Sequence, residues 1–259
     1  METIEVLRKY FGVREEDDGS GLRIVRNANI TEEKVLKKMD FFMRELGVTK
    51  SEFIKIIKKH LPNLLITEDA FILKIEFFRN EFNLENVELK KLFKLFPPLF
   101  SIKIDSILEK MKFFEREFCI NKEDFTRMIR IFPVIIGYSQ DSVLEKFKFY
   151  NQEFSITNAE FAKFLRIFPH IISYSETSVL SKAEFFEKHF NLTREQFIDM
   201  FKRWPKIITS SEESLILKKK TLEEINFSTD DVIKNPNILF APTNGLKIRF
   251  MIQRLIASK

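Results

Sequence analysis

Residues 130–154 read RIFPVIIGYSQDSVLEKFKFYNQEF, and residues 166–190 read RIFPHIISYSETSVLSKAEFFEKHF. The second stretch is nearly a copy of the first, 36 residues downstream. The proline recurs beyond both. Pro62, Pro97, Pro133, Pro169, Pro205 and Pro236 follow one another at intervals of 35, 36, 36, 36 and 31 residues, each in an apolar frame such as LFPPLF or RWPKII. A period in the mid-thirties marks a stacked-repeat architecture, one supersecondary unit copied along the chain.

The unit from Pro133 to Pro169 shows what is copied. Pro133 starts a short helical turn, where its missing N–H is no loss. GYS then breaks that turn. Ser139 or Asp141 can cap a first long helix over residues 142–153, and SIT makes a tight turn after it. Thr157 with Glu160 forms a capping box for a second helix ending near Phe168. The box recurs as Thr49 with Glu52 and as Thr193 with Gln196, while Asn121 and Ser228 are simple caps at equivalent positions. No stretch reads as a strand. The predicted fold is all-α: an α-solenoid of stacked ~36-residue repeats, each two long helices plus a short helical turn, wound into a curved superhelix.

FGVREED (Phe11–Asp17) parallels LGVTKSE (Leu46–Glu52), 35 residues on. Residues 1–29 are therefore a degenerate N-terminal capping repeat with a loop, EEDDGSG, inserted. Residues 30–236 are the repeats proper, and residues 237–259 a C-terminal half-repeat cap. The pairs Phe41/Phe42, Phe77/Phe78, Phe113/Phe114, Phe149/Tyr150 and Phe185/Phe186 explain the copying. One unit cannot bury them alone, and each large apolar side chain covered by a neighbour is worth roughly 1.5–3 kcal/mol. Six glycines against 30 phenylalanines fit helices with short connections better than a turn-rich β protein.

The frame P-x-I-[IL]…S…[VIL]-L-x-K-x-x-F-F…[LIV]-[ST]…F…F-P, with the final NPNILFAPTNGLKIRF (Asn235–Phe250), resembles the mitochondrial transcription termination factor (mTERF) family from about residue 30 to the end. Phe stands here where that family usually has Leu. The resemblance implies a curved solenoid of three-helix motifs whose concave, basic face binds nucleic acid, DNA or RNA. It also implies a place in transcription, its termination, or other organellar gene expression, in a mitochondrion or another organelle. The N-terminus, METIEVLRKYFGVREEDDGSG, is too acidic and too poor in Ser and Arg for a transit peptide and has no signal-peptide core. A bacterial or host-cell cytoplasm is therefore the alternative address.

The net charge of +5, from 43 bases against 38 acids, places any nucleic-acid footprint in the arrangement of charge, not in its excess. One cationic column has a member in every unit: Lys38, Lys74, Lys110, Lys146, Lys182, Lys218 and Arg249. At about 100° per residue it lies between the apolar stripe of Val143, Leu144, Phe147 and Tyr150 and the flanking Phe149. On one reading the stem runs along Phe and the head meets a polyanion at the edge of the stack. On the other, the amine caps carbonyls of the preceding turn or pairs with a nearby acid. The triple change Lys110→Glu, Lys146→Glu, Lys182→Glu abolishes nucleic-acid binding on the first reading and unfolds the chain on the second. A second column sits three residues before each proline: Lys59, Lys94, Arg130, Arg166 and Lys202, broken by Ile233. Lys91, Arg127 and Lys163 lie one turn earlier on the same stripe, interrupted by Ile56 and Asp199. These bases suit phosphates, and they also suit a helix C-terminus, with Glu52, Glu88, Asp124 and Glu160 at the opposite ends.

Tyr138 and Tyr174 are candidates for stacking on unpaired bases or for half-buried linker aromatics. Trp204, in the place of a Phe, reads as core. No phosphate loop, dinucleotide fingerprint or metal-ligand cluster occurs, so neither catalysis nor a cofactor is expected. His60, His170 and His189 are scattered. The lone Cys119 allows no disulfide within the chain, which suits a reducing compartment. No apolar run is long enough to span a membrane. A monomer with a nucleic-acid partner is expected, and a protein-binding scaffold without nucleic acid is the alternative.

Overall fold

The structure, a computed structural model, describes residues 3–14, 19–224 and 228–242. Among them lie fourteen α-helices, six 3₁₀ turns and no strand. Arg249, most of the C-terminal half-repeat and the acids of the EEDDGSG insertion lie outside the described residues. The chain gathers into two compact units, Met1–Gln140 and Asp141–Lys259.

In the first unit, α1 (Thr3–Phe11) and α2 (Ser20–Arg26) precede three repeats. These are α3 (Glu32–Leu46) with α4 (Lys50–Lys59) and the turn Leu61–Leu65; α5 (Glu68–Phe82) with α6 (Asn86–Leu95) and the turn Pro97–Phe100; and α7 (Ile104–Phe118) with α8 (Lys122–Ile131) and the turn Pro133–Gly137. The second unit holds α9 (Gln140–Phe154), α10 (Asn158–Ile167) and the turn Pro169–Ser173; α11 (Glu176–Phe190), α12 (Arg194–Arg203) and the turn Pro205–Thr209; and α13 (Glu212–Glu224), α14 (Thr229–Lys234) and the turn Pro236–Phe240.

Local chemistry sets each boundary. The residue after a first helix is left-handed, at Gly47 (φ 63°), Asn83 (49°), Cys119 (51°), Ser155 (49°) and Asn191 (54°). That conformation closes the helix and turns the chain back. The boxes of Thr49, Thr157 and Thr193 form as the sequence predicts, and Ser228 with Asp231 makes a full box where a simple cap was expected. Second helices end on Phe96, Phe132, Phe168 and Trp204, whose φ of −136° to −150° reflects the following proline, which drives its predecessor out of the α region.

Aromatic rings tie the helices of each unit together. In the first, the buried Phe42 ring meets Phe53, Phe71 and Phe93 at 5.3, 4.5 and 6.0 Å. In the second, the buried Tyr150 ring meets Phe161 and Phe201, both at 5.8 Å, and its hydroxyl donates to the Ile171 carbonyl at 3.1 Å. A fully buried polar side chain is also satisfied. Asn63, fully buried, donates to the Pro97 carbonyl at 2.9 Å and accepts from the Ser101 hydroxyl at 3.3 Å, joining one 3₁₀ turn to the next.

Candidate nucleic-acid interface

The first cationic column is engaged by the backbone. Within the first unit the amines of Lys38, Lys74 and Lys110 donate to the carbonyls of Ile66, Ile102 and Tyr138. Within the second, Lys146 donates to Tyr174 at 2.9 Å, Lys182 to Ser210 at 2.8 Å, and Lys218 to Ala241. In five of these six pairs the acceptor lies 28 residues downstream, in the linker after the repeat's own 3₁₀ turn. The carbonyl is thus in the following turn, not the preceding one that the sequence suggested. Each bond fastens a first helix to the linker that follows the 3₁₀ turn of its own repeat. Lys110, Lys146 and Lys182 also stand over the rings of Phe113, Phe149 and Phe185 at 5.6, 5.5 and 5.4 Å, a cation–π contact inside the same repeat. Lys74, Lys110, Lys182 and Lys218 are buried. Burial lowers the amine pKa of Lys38, Lys110, Lys182 and Lys218, and that of Lys74 to about 8.

The second column lies at the ends of second helices and is more open. Side-chain exposure is 47% for Lys94, 37% for Arg130 and 28% for Lys202. Their partners follow one rule. Lys94 pairs with Glu52 at 2.9 Å, Arg130 with Glu88 at 2.9 Å and Lys202 with Glu160 at 3.2 Å. Each acid is the third residue of the preceding second helix, where it also accepts the N–H of Thr49, Glu85 or Thr157. One carboxylate therefore closes its own helix and binds the next repeat. Lys59 instead donates to the Lys94 carbonyl at 3.0 Å. Arg166 is half-buried and engaged. The acid and base columns lapse at the same step, the acid as Gln196 and the base as Ile233. That coincidence was the signal in the sequence for these pairs, and residue-by-residue reading missed it.

Lys91 and Lys163 are exposed, and Arg127, 56% exposed, pairs along its own helix with Asp124 at 2.8 Å and Glu123 at 3.4 Å. Tyr138 and Tyr174 are half-buried, their rings tilted on Phe132 and Phe168 at 6.2 and 5.9 Å. Trp204 is half-buried, 6.3 Å from Phe240. Among the described residues no cluster of His, Cys, Asp and Glu could hold a metal, and no helix is long and apolar enough to cross a membrane.

Glu52 gives the acid pairs a pH signature. Lys90, the Thr49 N–H and Lys94 together hold its carboxyl at about 2, against an ordinary 4.5. A depressed folded-state pKa means stability that is complete above about 4.5 and is lost as pH falls toward 2. Glu52→Gln keeps the capping box, as Gln196 does, and is expected to remove that part of the acid limb. Melting temperature against pH, wild type minus variant, should shrink between these two values.

An all-α array of two-helix repeats, with one base column inside the repeats and one at the ends of second helices, defines a helical-repeat protein. The mTERF family model matches residues 20–164 and 150–252. The chain belongs to the mTERF family. No curated protein matches it.

Proposed function

We propose that this chain binds the backbone of a nucleic acid, DNA or RNA, through the bases of its second helices. The process is regulation of transcription, its termination, or a related step of organellar gene expression, in a mitochondrion or another organelle. The observation that carries the reading is the recurrence of cations on one helix turn: exposed Lys91, Lys94 and Arg127 with half-buried Arg130 in the first unit, and exposed Lys163 with half-buried Arg166 and Lys202 in the second. Family membership supports it. We assign the first-helix lysines, from Lys38 to Lys218, to holding the repeats, because their amines are bonded to linker carbonyls. Contacts of the second-helix kind neutralise phosphate and release counterions without reading sequence.

The test is a fluorescence-anisotropy titration with duplex DNA, single-stranded DNA and RNA at two salt concentrations. At least one should bind, more weakly at high salt. Lys91→Glu, Arg127→Glu and Lys163→Glu together are expected to lower affinity at least tenfold and to flatten the log–log salt slope by about 3, roughly one per lost phosphate contact. Helical circular dichroism should stay unchanged, since none of these three side chains is buried. Failure of all three nucleic acids to bind the wild type at low salt rejects the reading.

A further inference from the structure

Near-identical repeats make departures visible, and three of them meet at one place in the first unit. The left-handed residue after a first helix is Asn83, Cys119, Ser155 or Asn191, but after α3 it is Gly47, where an added Cβ meets nothing within 4 Å. The second position of a second helix is Ser51, Glu123, Ala159 or Glu195, but in α6 it is Val87, 79% exposed. The fifth position is Ile54, Thr126, Ala162 or Ile198, but in α6 it is Lys90. All three line one open cleft of about 800 Å³ between the end of α3 and α6.

Its walls have two characters. Leu46, Val87 and Leu95 form an aliphatic floor, with Leu95 46% exposed. Four cations line the rim: Lys91, Arg44, which pairs with Glu45 at 2.8 Å, and Lys90 and Lys94, which share Glu52. Lys90 also donates to the Gly47 carbonyl at 2.8 Å, which ties α6 to the end of α3. Among the described residues no aromatic ring lines it, so an unstacked base gains no stacking platform there. Aliphatic side chains gain the floor, and carboxylates beside them gain the rim. We propose that this cleft docks an acidic segment of a partner protein, its leucine-like side chains on Val87 and Leu95 and its carboxylates toward Arg44, Lys91 and Lys94. Lys91 and Lys94 also belong to the proposed phosphate row, so the peptide is tested in the absence of nucleic acid.

The probe is a fluorescein-labelled peptide of Glu-Glu-Leu repeats, with an all-Glu peptide of the same length as reference. Wild type should bind the first at least tenfold more tightly at physiological salt. The variant Gly47→Asn, Val87→Ala, Lys90→Ala installs residues the fold already carries at Asn83, Ala159 and Ala162. It should keep the helical circular dichroism and lose the preference. Should it lose structure, Val87→Ser alone, the residue type that α4 carries at Ser51, is read by the same ratio. Equal binding of the two peptides by wild type, or a preference that survives in the folded variant, overturns the proposal. So does the opposite pattern, in which Val87→Ala weakens single-stranded DNA binding and leaves the peptide preference intact; the occupant is then a nucleotide.

Discussion

Lys110→Glu lowers the stability of the first unit by about 3–5 kcal/mol, the usual result of leaving a charge buried without its partner. The reasons are local. Lys110 is 7% exposed, its amine donates to the Tyr138 carbonyl, and it stands on the Phe113 ring. A carboxylate there faces a carbonyl oxygen and the negative face of an aromatic ring, and both repel it. Lys112→Glu, two residues away on the exposed side of α7, is the control and should cost little. By circular dichroism the melting temperature of Lys110→Glu should fall by roughly 10 °C relative to that control. Lys182→Glu should do the same in the second unit, through Ser210 and Phe185. Unchanged melting with lost nucleic-acid affinity would show that these amines face the ligand after all.

The lysine column shows where sequence reading stops. Its place at the edge of the apolar stripe was legible, because helical periodicity fixes which face a residue occupies. Its partner was not. The acceptors are backbone carbonyls of Ile66, Ile102, Tyr138, Tyr174, Ser210 and Ala241, a set with no side-chain chemistry common to all six. Every residue carries a carbonyl, so the pairing leaves no trace in composition. The capping boxes lie at the opposite extreme. Thr157 and Glu160 meet within one turn, and their spacing alone declares the contact. The glutamate–base pairs fall between these cases. They join residues 42 apart, too distant for a local rule, yet both members are charged, and both disappear together at Gln196 and Ile233. The cleft beside α6 was open to the same comparison, since Gly47, Val87 and Lys90 each break a repeat position. Only the packing of α3 on α6 brings the three to one point.

Phe71→Ala tests whether the repeats cohere as neighbours. Phe71 belongs to α5 and is 1% exposed. Its ring meets Phe41 and Phe42 of α3 at 5.2 and 4.5 Å, Phe93 of α6 at 5.1 Å and Phe100 of the following turn at 4.9 Å. Truncation removes the apolar surface and leaves a cavity among rings too large to collapse into it, at a cost of about 3–5 kcal/mol. In a repeat array each unit touches only those beside it, so the loss falls on the joint between α3 and α5. The repeats before that joint keep their own caps but lose the surface they were stacked upon. Thermal unfolding should then separate into an early step for the N-terminal helices and a later step for the rest. Hydrogen exchange should show α3 and α4 losing protection first, with α7 and α8 unaffected. A single cooperative transition, merely shifted to lower temperature, would mean instead that coupling extends past nearest neighbours and that the Phe71 joint is not where the array divides.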